Sequence, residues 1–495
     1  MAVGQGPAQG PLRVVGWVQS DRSIVRYVST RGEAPPLGFV DVMLAELARD
    51  GGLYVPESWP RLDAGAIAKF AGRPYAEVAV DVIRPFVGDT IPEHDLARMA
   101  REAYGTFRHP AVAPLSQYGV NDFMLELFHG PTLAFKDLAM QLLGRLMDHV
   151  LTARGERTTV VVATSGDTGG AAVEAFRGRS RADVFVLFPH GRISDVQRRM
   201  MTTAADDNVH AVAIEGTFDD CQALVKAMFN DLAFRDRVQL AAVNSINWGR
   251  IVAQLTYYFV AGAALGAPGR AMLFSVPTGN FGDVLAGWCA KAIGLPAERL
   301  VIATNENDIL HRAWSTGMYA LSDVVATTSP SMDIQISSNF ERFLFEAAGR
   351  DAAFVRGKMN GLCQSRSIGL GEVMVPYREA FTAERVDQNA VADCIRRVRT
   401  ESGYLLDPHS ACAVVAARKT LTAQTQHIPH IALATAHPAK FPDAIAAITG
   451  ERPPLPPRLQ PVMSAKERVA VLPNDLAAVE RFVEGRARNR QGAAA

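Results

Sequence analysis

Between residues 136 and 150 the apolar positions recur at helical spacing. Leu138, Leu142, Leu146 and Val150 fall on one line, with Ala139, Leu143 and Met147 beside it. Gly130 and Pro131 break the chain just before, so the pattern predicts a mostly buried helix with Lys136 in its first turn. Further along, strand, loop and helix patterns alternate. Thr158–Ala163 (TTVVVA) predicts a buried strand and AAVEAF the helix after it. Residues 184–188 and 209–214 predict two more strands, with helices over 194–201 and 221–231. Residues 272–276 predict another strand, VLAGWCAKAIG a helix, and IALATAHPAKF (431–441) a late strand. Such alternation predicts parallel sheets covered by helices. Nearer the start, Phe39, Val40, Met43, Leu44 and Leu47 keep helical spacing, and Asp50-Gly51-Gly52 marks the predicted end of that helix. Helical patterns continue to about Tyr104. The longest apolar run, 251–267, contains Gln254 and stops at Pro268. It is shorter than a membrane span and predicts a buried helix.

A chain of 495 residues is too long for one core. The expected organisation is a flexible leader over 1–23, rich in Gly, Gln and Pro, and an α-rich N-terminal unit over 24–100. A large unit made of 101–157 and 241–483, a small α/β unit over 158–240 and a disordered tail over 484–495 complete it. The fold class is α/β, with two parallel-sheet domains. Lys plus Arg and Asp plus Glu both total 51, so no global field draws nucleic acid or an anionic membrane. The five cysteines are scattered without metal-ligand spacing and read as small buried residues in a reducing compartment. With no apolar h-region at the N-terminus, they argue for a cytoplasmic protein.

Four stretches carry candidate chemistry. In ELFHGPTLAFKD, the positive end of the helix dipole and the apolar surroundings disfavour the charged form of Lys136. An uncharged amine is what Schiff-base formation with an aldehyde needs. PTGNFGD (277–283) is a strand-to-helix loop in which Gly279 and Gly282 let backbone amides approach an anion. Its spacing matches neither a dinucleotide fingerprint nor a Walker loop, and a tight turn alone explains it equally well. TSGDTGG (164–170) adds the hydroxyls of Thr164, Ser165 and Thr168, which suit a carboxylate or a phosphate beyond the cap of one helix. NSINWGR sets Asn244, Ser245 and Arg250 near a helix start, the makings of a phosphate clamp, although a solvated arginine is commoner there. SSNFER reads as structural, with Ser338 and Glu341 spaced for a capping box. His129 and His437 stand alone, without the spacing of a metal pair, so no metal is expected.

Taken in order from YVSTRG at Tyr27 to about Gly450, these stretches, with SMDI and LATAHPAKF, resemble the threonine synthase family in its longer form. The resemblance implies a fold type II pyridoxal-phosphate enzyme, similar to the tryptophan synthase β chain. It implies that Lys136 holds pyridoxal phosphate as a Schiff base and that Gly279, Asn280, Phe281, Gly282 and Asp283 cradle its phosphate. Thr435 would meet the pyridine nitrogen. Ser165, Gly166, Asp167 and Thr168 would receive the substrate amino acid, and Asn244, Ser245 and Arg250 would grip the substrate's own phosphate. Many wider relatives have Asn at the place of Asp167, which leaves its contact open. The leader before Ile24 and the text DPHSACAV depart from the family's usual pattern. The implied reaction converts O-phospho-L-homoserine and water to L-threonine and phosphate, in a monomer or homodimer. The alternative is another enzyme of the same fold, a threonine or serine dehydratase or a phospho-lyase giving 2-oxobutyrate.

Overall fold

The structure, a computed structural model, describes residues 25–488. The expected leader and the last residues of the expected tail lie outside that range. The run after Gly130 forms the helix Lys136–Arg154, with both flanks of its N-terminal half buried. An αL cap at Gly155 ends it, as glycine without a Cβ permits.

Two sheets organise the molecule. The larger runs in the order Phe381–Arg385, Ala297–Thr304, Met272–Pro277, His430–Ala434, Asp122–Glu126 and Leu115–Gln117. All its pairs are parallel except the last. The smaller runs in the order Val469–Pro473, Val209–Glu215, Ala182–Pro189, Thr158–Ala163 and Leu240–Ala241, and is parallel throughout. Near-continuous Val, Ile, Leu and Phe in the central strands reflects burial on both faces. Strand Thr158–Ala163 falls where its apolar run predicts, and the other strands differ by a residue or two at their ends.

Several expectations need correction. Strand Val469–Pro473 pairs with Val209–Glu215, and helix Leu476–Arg486 packs Val479 and Val483 into the small unit's core. The chain's end therefore belongs to the small sheet rather than to the large unit. Residues 484–486 are helical rather than disordered, and Arg488 donates to Asp183 at 2.6 Å. The late strand stops at Ala434, after which Pro438–Lys440 is a 3-10 turn, because a proline cannot donate to a strand ladder. In the N-terminal unit a three-stranded antiparallel sheet accompanies the helices. Its first helix, Phe39–Ala45, ends earlier than the Gly51 signal suggests, at Glu46 with φ 58° and ψ −53°. Of the five cysteines, all free, Cys363 is exposed and the others buried.

The units meet closely where the Lys136 helix crosses Asp167–Phe176. A Cβ on Gly144 would lie 2.5 Å from the backbone oxygen of Ala175. Glycine to alanine inside a helix ordinarily gains about 1 kcal/mol. Here the backbone contact reverses the sign, and Gly144→Ala is expected to cost about 1–3 kcal/mol through overpacking. A thermal unfolding midpoint at or above that of the parent protein would refute this.

Candidate active site

The site lies at the carboxyl ends of strands from both sheets, where parallel α/β architectures place their ligands. Strand Asp122–Glu126 leads through the Gly130-Pro131 break to Lys136. Strand Thr158–Ala163 leads to TSGDTGG, strand Met272–Pro277 to the PTGNFGD loop, and strand His430–Ala434 to Thr435. One cavity of about 790 Å³ joins Lys136, Asp167, Thr168, Asn244, Ser245, Arg250, Thr435 and all of Gly279–Asp283. Ser165 and Gly166 sit on the same turn but do not line it. Thr164, not Ser165 or Thr168, organises that turn: its Oγ1 accepts from the amides of Gly166 and Gly169, each at 2.9 Å.

Lys136 is buried, and its Nζ donates to Asp167 Oδ2 at 3.2 Å. The other oxygen of Asp167 accepts from Lys440 Nζ at 2.5 Å and from Gln197 Nε2 at 3.0 Å. Burial lowers the pKa of the Lys136 ammonium, with Lys440 and Arg250 adding to the effect and Asp167 opposing it. Burial alone would push the Asp167 carboxyl up, but Lys440 and Lys136 together outweigh it and hold it well below the usual range. Asp167 is thus an ionised acceptor between two lysines. It offers no donor to a substrate carboxylate, whereas the backbone amides opening helix Asp167–Phe176 do.

In the glycine loop, Phe281 takes a left-handed φ of 62° and serves as N-cap of helix Gly282–Ala292. Residues 331–339 wall this loop. Ser337 Oγ donates to Gly279 O at 2.7 Å, and Asn339 N donates to Asn280 O at 3.0 Å. Ser338 caps nothing, so the expected capping box is absent. Glu341 instead receives Arg31 on both carboxylate oxygens and the Thr30 hydroxyl. A paired, bidentate arginine outweighs one backbone amide. Asp283 points away from the loop, toward the hydroxyls of Tyr257 at 2.5 Å and Tyr258 at 2.9 Å. Burial raises its carboxyl to about 6.

Arg250, which lines the same cavity, lies in the first turn of helix Trp248–Ala264, buried, with Nη1 on the carbonyl of Val243 at 3.0 Å and Nε without a partner. Burial lowers its guanidinium to about 10. A buried donor left unpaired costs on the order of 1–3 kcal/mol, so this corner is built for an acceptor. His129 and His437 serve locally. The first bonds Glu126 at 2.7 Å, and the second accepts the amide of Ala439 at 3.1 Å. The single-sequence reading passes over Lys440, Gln197, His409 and Glu46. His409 lines the cavity, accepts from Ser331 N at 3.3 Å and is held by Asp407 at 2.7 Å. The signals for two of them were in view, in the texts HPAKF and DPHS.

A depressed buried amine, an amide-rich glycine loop and a cavity joining them define a pyridoxal-phosphate enzyme of fold type II. The cofactor fits the donor set present. The family model described as "Pyridoxal-phosphate dependent enzyme" matches residues 110–357. Those described as "Threonine synthase N terminus" and "Threonine synthase, C-terminal" match residues 26–104 and 410–483. The threonine synthase of Pseudomonas aeruginosa is 50% identical over 93% of this chain and 98% of its own. A crystal structure of PLP-bound threonine synthase from Brucella melitensis superposes with a TM-score of 0.91 at 58% identity. It covers 94% of this chain and 100% of that one. That of Escherichia coli gives 0.78 at 32% identity, over 93% and 99%. The chain belongs to the threonine synthase family of pyridoxal-phosphate-dependent lyases.

The closeness of the glycine loop to its wall makes one prediction. A Cβ at Gly279 would lie 2.7 Å from the backbone oxygen of Ser331, which cannot swing aside as a side chain would. Gly279→Ala is expected to displace the loop amides and loosen the cofactor. Visible absorbance should fall on dialysis of the variant and persist in the parent protein; equal retention would sink the idea.

Proposed function

We propose that this cavity converts O-phospho-L-homoserine and water to L-threonine and phosphate. The observation that carries the reading is the single cavity holding the Lys136 amine and the 279–283 loop together. Bound pyridoxal phosphate supplies an aldehyde for Lys136 and a ring that stores the electrons released when a proton leaves carbon. The amides of 279–283, which line the cavity, would hold the cofactor's phosphate, and the Thr435 hydroxyl would face its ring nitrogen. A hydroxyl, unlike a carboxylate, does not force that nitrogen to carry a proton.

The amides at the start of helix Asp167–Phe176 receive the substrate carboxylate, on the turn that contains Ser165, Gly166 and Thr168 and that Thr164 holds together. Arg250, with Asn244 and Ser245, holds the substrate's phosphate in the same cavity. Lys136, whose ammonium burial makes easier to deprotonate, takes the proton from Cα and later one from Cβ. The bond between Cγ and the phosphate oxygen breaks, and Arg250 retains the departing anion. Water then adds its oxygen to Cβ, and of the three protons released by Cα, Cβ and that water, one returns to Cα, one completes the Cγ methyl group and one leaves on the phosphate. Asp167 stays ionised and holds whichever lysine ammonium carries the proton. Movement of the small sheet's unit against the larger one keeps water out until phosphate has left.

We further infer that the protein works as a monomer or homodimer in the cytoplasm, without nucleic acid or membrane. A net charge of zero supports the part about nucleic acid and anionic membrane, and no described helix is long and apolar enough to cross a membrane. The test is to give the holoprotein O-phospho-L-homoserine and to measure products. Equal amounts of phosphate and threonine are expected. Phosphate with 2-oxobutyrate in place of threonine would make it a phospho-lyase.

A further inference from the structure

Glu46 is a buried carboxylate that the reaction above does not use, and it stands inside the phosphate corner. It lines the cavity beside Asn244, Ser245 and Arg250. Its Oε1 accepts from Asn244 Nδ2 at 2.9 Å and its Oε2 from the Asn244 amide at 3.2 Å. Both donors belong to a residue assigned to the substrate's phosphate. The backbone is committed to this placement. Leu47 N donates to Ala45 O at 2.6 Å across Glu46, which has φ 58° and ψ −53°. That is a γ-turn of the rare, strained hand, for which a side chain costs of order 1–3 kcal/mol. Strain of this kind persists where the surroundings over-determine it.

We propose that Glu46 is the specificity and proton-coupling residue of the phosphate subsite, its carboxylate standing where a phosphate would take Asn244's donors, so that a dianion binds only as Glu46 takes up a proton. This rests on the assignment of Asn244, Ser245 and Arg250 to the substrate's phosphate. Two buried anions sharing one set of donors repel at low effective dielectric, and protonating the weaker acid relieves it. The charged groups facing Glu46 are Arg250 on helix Trp248–Ala264 and Arg342 on helix Phe340–Ala347. Asn244 and Asn247 are its neutral partners. Arg342 is engaged elsewhere, with Tyr54 O at 2.9 Å and Ile246 O at 2.7 Å, so of these two Arg250 is the cation free to receive an anion; Arg49, Lys226 and Arg235 line the same cavity. Burial first, against the bonds from Asn244 and the field of Arg250, raises the Glu46 carboxyl to about 7. The folded protein thus keeps a proton that the unfolded chain releases near 4.5. The stabilisation is full below that pH and lost as pH rises through about 7.

Sulfate is the probe, because it stays a dianion across the range whereas phosphate itself titrates. Its affinity for the holoprotein is measured calorimetrically from about pH 6 to 8.5. Above about pH 7 it should weaken by up to about tenfold per pH unit, the slope of one proton taken up. Glu46→Gln should flatten that slope and keep the low-pH affinity at high pH. Glu46→Gly, which suits the left-handed backbone and so tolerates the turn, should do the same if the glutamine variant folds poorly. A parent protein with no slope, or variants that keep it, would overturn the inference. Arg250→Ala separates the two layers. If it abolishes sulfate binding while the Glu46 variants keep the slope, the clamp stands and this inference falls. If it leaves sulfate binding untouched, the clamp assignment fails and takes the inference with it.

Discussion

Lys136→Ala protein, purified in parallel with the parent, is expected to be colourless and inactive. The parent should absorb visible light and bleach with borohydride. Two losses combine. General acid–base work by one positioned amine is worth about 10² to 10⁴ in rate, and removing the amine also removes the cofactor's covalent anchor. The structure makes this test sharper, because a second buried lysine, Lys440, shares Asp167. Lys440 cannot stand in. Its Nζ is held by Thr132 O at 2.9 Å as well as by Asp167, and it does not line the cavity. Lys440→Ala should therefore remain coloured and bleachable, with its rate reduced through Asp167. Colour that survives Lys136→Ala and disappears in Lys440→Ala would exchange the two roles.

That distinction was beyond the sequence, and the reason is physical. Helix Lys136–Arg154 and strand Thr158–Ala163 are short-range facts, written in apolar spacing and, for the helix, in the glycine that ends it. The stretches proposed to hold the cofactor are legible in the same way, since each lies within one strand-to-helix turn. The charge on Asp167, by contrast, is decided by Lys440, which arrives from a different sheet's strand. No local pattern encodes that meeting. Glu341 failed as a cap for the same reason: Arg31, far away in sequence, offers a bidentate pair. Strand Val469–Pro473 was overlooked because it is an edge strand with alternating partial exposure, and five residues of such text carry little signal. Glu46 is the most instructive case. Its neighbours read as a helix that ought to run on to Gly51, yet Asn244 and the cavity draw the chain into a γ-turn five residues sooner. Departure from local preference coincided with the functional corner.

Arg250→Ala is expected to lower kcat/KM for O-phospho-L-homoserine by roughly 2–5 kcal/mol, as for a desolvated charge that loses its partner. That is a factor of about 30 to 5,000. The magnitude follows from where the guanidinium sits. It is 3% exposed, its Nε has no partner and one Nη is spent on Val243 O, so what remains faces the cavity without an ion pair to lose. A surface arginine would be worth at most about 1 kcal/mol. Arg250→Lys should recover only part of the loss, because a point charge cannot reproduce the planar fork. Cofactor colour should be unchanged in both variants, since the seat proposed for the cofactor's phosphate is the 279–283 loop. That separates this prediction from the one for Lys136. Normal turnover by Arg250→Ala would remove Arg250 from the scheme. Loss of colour would instead make Arg250 part of the cofactor's own site and would leave the substrate's phosphate without its clamp.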